Sequence, residues 1–343
     1  MGVFRWVFGL YLLLFDARWF SWLDQTPDAF FTPPLLSLSS MAGGFPPSPF
    51  FTIVDLVGLA AICAMTCGWA TRISTSVALV TYIVSTTFAY SQGKISHQIA
   101  IALVLVCMLI ADWGKAAPRR IAQGLSLLGV ALCFGFLVAG VEKSRYWLTP
   151  DLGVSGFLSW YYPRMDLQEP QLLAGLVPGV LLLAFKAADV IAVLFEVSGF
   201  IWLLWGRVPW RLWLLAAASF HLVNALVLNI TFSTQIVAYA AFFSLATLPW
   251  PARGERAYSA ARITAVAIAV FATVWHGVTR IAGGGSFFIF GGSLAYTGDY
   301  DLIVCIVVGS AVVALGARDV FREIRRPSPR EASVKSVGSI SSG

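Results

Sequence analysis

Charge is what this sequence has least of. Only 12% of its 343 residues are Asp, Glu, Lys or Arg, against 58% hydrophobic residues, and the mean hydropathy is +0.80. Soluble domains carry about 25% charged residues, and a soluble fold with half that share would turn large apolar patches to water. A soluble enzyme, a disordered chain and a secreted disulfide scaffold are therefore excluded together. A β-barrel would show alternation rather than unbroken apolar runs. What remains is an all-α, polytopic membrane helix bundle embedded in a lipid bilayer.

Other absences narrow the chemistry. Histidine occurs three times, at His97, His221 and His276, and no His, Cys and carboxylate spacing of metal-site type is present. No metal is expected. G-x-S-x-G, Walker A and G-x-G-x-x-G patterns are missing too. The five cysteines lie inside apolar runs, and Cys63 and Cys67 are one helix turn apart rather than a C-x-x-C pair, so they read as packing residues. The net charge of +6 comes with no basic stripe interleaved with aromatics, so no nucleic acid is expected as a partner.

A bilayer-crossing helix needs about 20 mostly apolar residues. By that rule the sequence predicts about ten spans (range eight to ten), near 3–22, 50–69, 73–92, 97–112, 121–141, 184–206, 210–230, 234–249, 260–281 and 301–317. The stretch 171–183, with Pro178 between two glycines, reads as an interfacial or re-entrant piece. Residues 1–317 form one transmembrane domain, and 318–343 read as a basic, disordered cytoplasmic tail.

With the N-terminus in the cytoplasm and alternating loops, one side collects Arg72, Lys115, Arg119, Arg120, Arg207, Arg211, Arg253, Arg256, Arg262, Arg318, Arg322, Arg325, Arg326, Arg330 and Lys335. Those are 15 of the 23 Lys and Arg residues, as the positive-inside rule requires. The expected location is thus a cell membrane, multi-pass, with both termini cytoplasmic. Two long outer loops follow, 23–49 without Lys or Arg, and 142–170 with Trp147, Trp160, Tyr161 and Tyr162.

Ionisable groups inside a membrane cost roughly 2.5–3.5 kcal/mol each on the insertion scale, so each points to a pairing or a function. In this orientation Asp16, Arg18, Asp55, Lys94, His97, Glu142, Lys143, Lys186, Asp189, His276 and Arg280 lie in the outer half. Glu196 and His221 are near mid-span, and Arg5 and Asp112 lie inward. Plain readings stand beside functional ones. Lys94, Lys143 and Lys186 can snorkel from helix ends, His221 can be a bonded core histidine, and Asp189 and Glu196, seven apart, can form a polar seam. The bias still puts a polar chamber on the outer side.

Three local motifs resemble one family. Val-Phe-Arg-Trp-Val-Phe-Gly (3–9) resembles the first-helix signature of the vitamin K-dependent gamma-carboxylase and its bacterial relatives, the HTTM proteins. Val-Ala-Gly-Val-Glu-Lys (138–143), followed by Trp147, resembles the A-G-x-x-K motif, and Phe220-His221-Leu222-Val223-Asn224 resembles the F-H-x-x-N motif. Arg72-Ile73-Ser74 and Lys94-x-x-His97 fall between them in the expected order, so the resemblance spans about residues 1–250.

The resemblance implies a quinol- and oxygen-dependent membrane enzyme. Lys143 matches the base that deprotonates reduced vitamin K, and His97 a histidine beside it. His221 and Asn224 match a structural or pocket-lining motif, Lys94 joins the pocket, and Arg5 matches a first-helix arginine of unassigned role. In the family scheme, the deprotonated hydroquinone reacts with oxygen to give a strong base. That base takes a proton from a glutamate γ-carbon, which captures carbon dioxide, and exclusion of water protects it. The cofactor implied is reduced vitamin K or another quinol. The substrate is a glutamate-containing peptide or a small molecule, because the animal enzyme adds a large lumenal domain and has a second lysine where this chain has Glu142. The alternatives are a multi-pass transporter using Glu196, Asp189 and His221 as a relay, or a non-catalytic membrane assembly factor on the same scaffold.

Overall fold

A computed structural model describes residues 2–16, 19–92, 99–166, 172–173, 175, 177, 182–243, 255–282 and 299–325. Within them the chain is a bundle of α-helices: α1 (Gly2–Phe15), α2 (Phe50–Cys67), α3 (Thr71–Ala89), α4 (Ile99–Ala111), α5 (Pro118–Trp147), α6 (Gly156–Asp166), α7 (Leu182–Val197), α8 (Gly199–Trp205), α9 (Arg207–Leu228), α10 (Ser233–Tyr239), α11 (Glu255–Ile281) and α12 (Asp299–Ile324).

Their boundaries follow local chemistry. Gly68 ends α2 in the left-handed region at φ +83°, where its N–H reaches back to the carbonyls of Ala64 and Met65, as glycine does at helix C-termini. Pro118 opens α5 at the first turn, where its missing N–H costs nothing. Asn229 ends α9 in the left-handed region at φ +50°.

The ten apolar stretches all carry helix, but not all carry full spans. Six helices are long and apolar enough to cross a bilayer: 50–67, 71–92, 118–147, 207–228, 259–281 and 300–324. A seventh span results if α7 and α8, bent by 48° to each other, count as one. The first and fourth stretches are shorter apolar helices, Gly2–Phe15 and Ile99–Gly114. Among its described residues, stretch 234–249 contains the two-turn α10 and a 3-10 turn (Ala240–Phe242), and residues 244–249 lie outside the described residues. Of the apolar piece at 171–183, residues 171, 174, 176 and 178–181 lie outside them as well. Expected to begin at residue 318, the tail instead continues α12 as far as Ile324, because Glu323 is held by Arg207 and Arg211. Residues 326–343 lie outside the described residues. Of the long loop expected at 142–170, residues 142–147 belong to α5 and 156–166 form α6.

The helices turn aliphatic side chains outward, among them Ile73, Ile191, Leu204 and Val307. That suits a surface solvated by lipid, where helices bond their backbone groups within themselves. Inside, α2 packs on α3, α4 on α5, α5 on α7, and α9 on α12, while α1 lies against α2 and α11. The short α10 sits among α1, α4, α9 and α12, and Ile236, Val237, Ala238 and Tyr239 are buried there. The end of α7 meets one face of α9 through Phe195, which lies against Trp213 and Phe220.

Candidate functional site

The site begins with close helix packing. A Cβ at Gly140 of α5 would lie 2.8 Å from Cγ1 of Val197 and 3.0 Å from Cβ of Glu196. Only a residue without a side chain lets α5 approach α7 here, as small residues do at membrane helix interfaces. One turn further along α5, Lys143 donates to Oε1 of Glu196 in an ion pair. Glu196 is 3% exposed, whereas the Lys143 side chain is 29% exposed and its ammonium sits 5.1 Å from the ring of Trp147. The pair is thus reachable from the lysine side and closed on the glutamate side.

Tyr239 of α10 is fully buried. The Tyr239 hydroxyl is 2.9 Å from Nε2 of His221 on α9. Four helices thus contribute two polar pairs: Lys143 with Glu196 between α5 and α7, and His221 with Tyr239 between α9 and α10. Aromatic rings wall them. Phe232 and Phe136 lie 4.3 and 5.6 Å from the His221 ring, and Phe136 is edge-on to Trp213 at 4.8 Å. Phe195, beside Glu196 in sequence, stacks on Trp213 at 5.2 Å. Polar groups held in a low-polarity enclosure interact more strongly than in water.

Of the residues singled out by sequence, Lys143 pairs with Glu196, and His221 pairs separately with Tyr239. Asn224 lies one turn past His221, half-buried, with its carbonyl accepting the N–H of Ile230 at 3.3 Å. Lys94 and His97 lie outside the described residues, as does Arg18. Arg5 stands elsewhere. Its guanidinium packs where a Cβ on Gly68 would come 2.7 Å from Nη2. Neighbouring Phe4 contacts Trp113, just before α5 begins. Lys143 is 25 residues beyond Pro118 in α5, which at 1.5 Å per residue puts it about 37 Å along the helix.

Four other ionisable groups have defined tasks. Asp189, fully buried, accepts the N–H groups of Gly156 and Phe157 at 2.9 Å each and so caps α6. Lys186 donates to the carbonyls of Trp147 and Val154 at 2.8 and 2.9 Å. Asp55 accepts from the N–H groups of Phe20 and Ser21, and Nε2 of His276 is 2.8 Å from the Leu13 carbonyl. A relay through Asp189, as the transporter alternative had it, must contend with a carboxylate already committed to two backbone donors.

Sequence reasoning missed Tyr239 altogether. It stands in a short apolar helix with no motif around it, and only the placement of α10 brings it to His221. Among the described residues, no group of three or more His, Cys, Asp or Glu is arranged to hold a metal ion, and all five cysteines are free. No protein-family model, curated protein or solved structure matches the chain.

Proposed function

We propose that this polytopic membrane protein is a quinol-dependent enzyme of the gamma-carboxylase type. The reading holds that it uses a reduced quinone and oxygen for carboxylation of a glutamate-containing peptide or for a related oxygenation of a small molecule. The observation that carries it is the union of Lys143, the residue matching the family base, with a buried carboxylate beside an aromatic enclosure. Aromatic walls suit a flat apolar ring system, and a few placed polar groups suffice to orient it. When bound, a reduced quinone supplies the electrons that activate oxygen. The residues that would hold it are Lys143, Glu196 and His221. Lys143 and Glu196 then hold charge and proton at the ligand oxygen, while Phe136, Phe195 and Phe232 keep water out. In this reading both termini are cytoplasmic and the site opens outward.

The test is oxygen uptake and epoxide formation by membranes supplied with a hydroquinone. Wild type is expected to form epoxide, and Lys143→Ala to lose at least about 100-fold, the usual worth of a positioned acid or base. Full activity in the mutant, or none in wild type with any hydroquinone, overturns the reading.

One observation favours a second reading, a transporter. Glu196 lies one residue before the break between α7 and α8, and broken helices beside central acids mark the binding sites of transporters. That reading expects Glu196→Gln to abolish uptake into vesicles while Lys143→Ala is tolerated.

A further inference from the structure

Glu196 spends one carboxylate oxygen on Lys143 and nothing on the other. Oε2 is buried with no hydrogen-bond partner, in a residue that is 3% exposed. Buried polar atoms are nearly always satisfied, and the exceptions call for an explanation. An ionised carboxylate only accepts hydrogen bonds, so the group that completes Oε2 must bring an O–H or N–H. Among the described residues no donor reaches Oε2: the Tyr239 hydroxyl meets Nε2 of His221, and the Lys143 ammonium serves Oε1. The Lys143 side chain, 29% exposed, is the accessible side of the pair.

We infer that Oε2 of Glu196 accepts the hydroxyl hydrogen of a reduced, hydroquinone-type ligand, and so selects the reduced form over the oxidised one. This rests on the quinol-dependent reading above and adds the residue that sets redox-state specificity. A hydroquinone oxygen carries a hydrogen to donate to Oε2, and its lone pairs accept from Lys143. A quinone offers only carbonyl acceptors. Its oxygen can still take a hydrogen bond from Lys143, but against Oε2 it sets lone pair against lone pair. Lys143 therefore serves both forms, and Glu196 discriminates between them. Sites built to hydrogen-bond a substrate O–H reject the analogue that lacks it, because the buried acceptor is left unpaired.

The experiment titrates the full-length protein in lipid nanodiscs, without oxygen, with 2-methyl-1,4-naphthohydroquinone and separately with its oxidised quinone, by calorimetry. Wild type is expected to prefer the hydroquinone by on the order of tenfold or more, the worth of one hydrogen bond to a charged acceptor. Glu196→Gln nearly keeps the shape, and its amide both accepts and donates, so it is expected to bind both forms with a preference near unity. Glu196→Leu, scored only if it melts cooperatively, is expected to lose the preference as well. Equal affinities in wild type, or a preference that survives in Glu196→Gln, overturn the inference. If wild type takes up oxygen with the hydroquinone and Glu196→Gln keeps its redox preference, the inference alone fails. If wild type binds neither form, the quinol site fails and the inference with it.

Discussion

Lys143 on α5 pairs with Glu196 on α7 one turn from Gly140, the residue that lets the two helices close. The helix contact and the ion pair are thus one feature. A side chain at Gly140 has to displace Val197 and the backbone beside Glu196. Gly140→Val is expected to cost about 1–3 kcal/mol by overpacking and to separate the pair. Thermal unfolding in detergent checks the first effect, and cross-linking between cysteines introduced at 143 and 196 checks the second, with a lower yield expected when Gly140→Val is added.

The pair itself has asymmetric energetics. Lys143→Met leaves the Glu196 carboxylate uncompensated and is expected to cost about 2 kcal/mol. That is less than the roughly 3–5 kcal/mol of a fully buried pair, because the Lys143 side chain is 29% exposed. Replacing both, as Lys143→Met with Glu196→Leu, is expected to recover most of the loss. A double-mutant cycle in stability measures it, and a coupling near zero contradicts the pairing.

How much of this was legible in the sequence differs from element to element. The apolar runs announced helices because a membrane leaves backbone groups no partner but their own helix, and Lys143, His221 and Glu196 stood out because charge is rare in such runs. Length was less legible. The stretch 234–249 has the hydropathy of a span, yet its described part is two helical turns and a 3-10 turn, since hydropathy does not distinguish lipid contact from burial among other helices. Pairings were not legible. Lys143 is 53 residues from Glu196, and His221 is 18 from Tyr239, and each pair lies on two different helices, so no helix period relates the partners. Asp189 shared a helix face with Glu196 in the sequence, but its carboxylate is taken by the start of α6.

That capping role gives a separate expectation. Asp189→Ala removes the acceptor of two backbone N–H groups and is expected to cost about 2 kcal/mol. Amide hydrogen exchange at Gly156 and Phe157 is expected to rise while α9 and α12 keep their protection. Unchanged exchange there contradicts the cap.

Tyr239→Phe removes the hydroxyl that meets Nε2 of His221 at 2.9 Å and keeps the ring. A loss of about 1–2 kcal/mol in stability is expected from the orphaned buried nitrogen, with the fold retained. His221→Phe on top of it is expected to add little, because both changes remove the same bond. Additive losses contradict the coupling.

The most direct test of the central claim is oxygen consumption by purified protein in nanodiscs on addition of 2-methyl-1,4-naphthohydroquinone, wild type against Lys143→Ala, with correct folding of both verified by thermal melting. The account predicts hydroquinone-dependent uptake by wild type and its loss, by at least about 100-fold, in the mutant. Equal uptake in the two proteins, or none above the protein-free background in wild type, contradicts it.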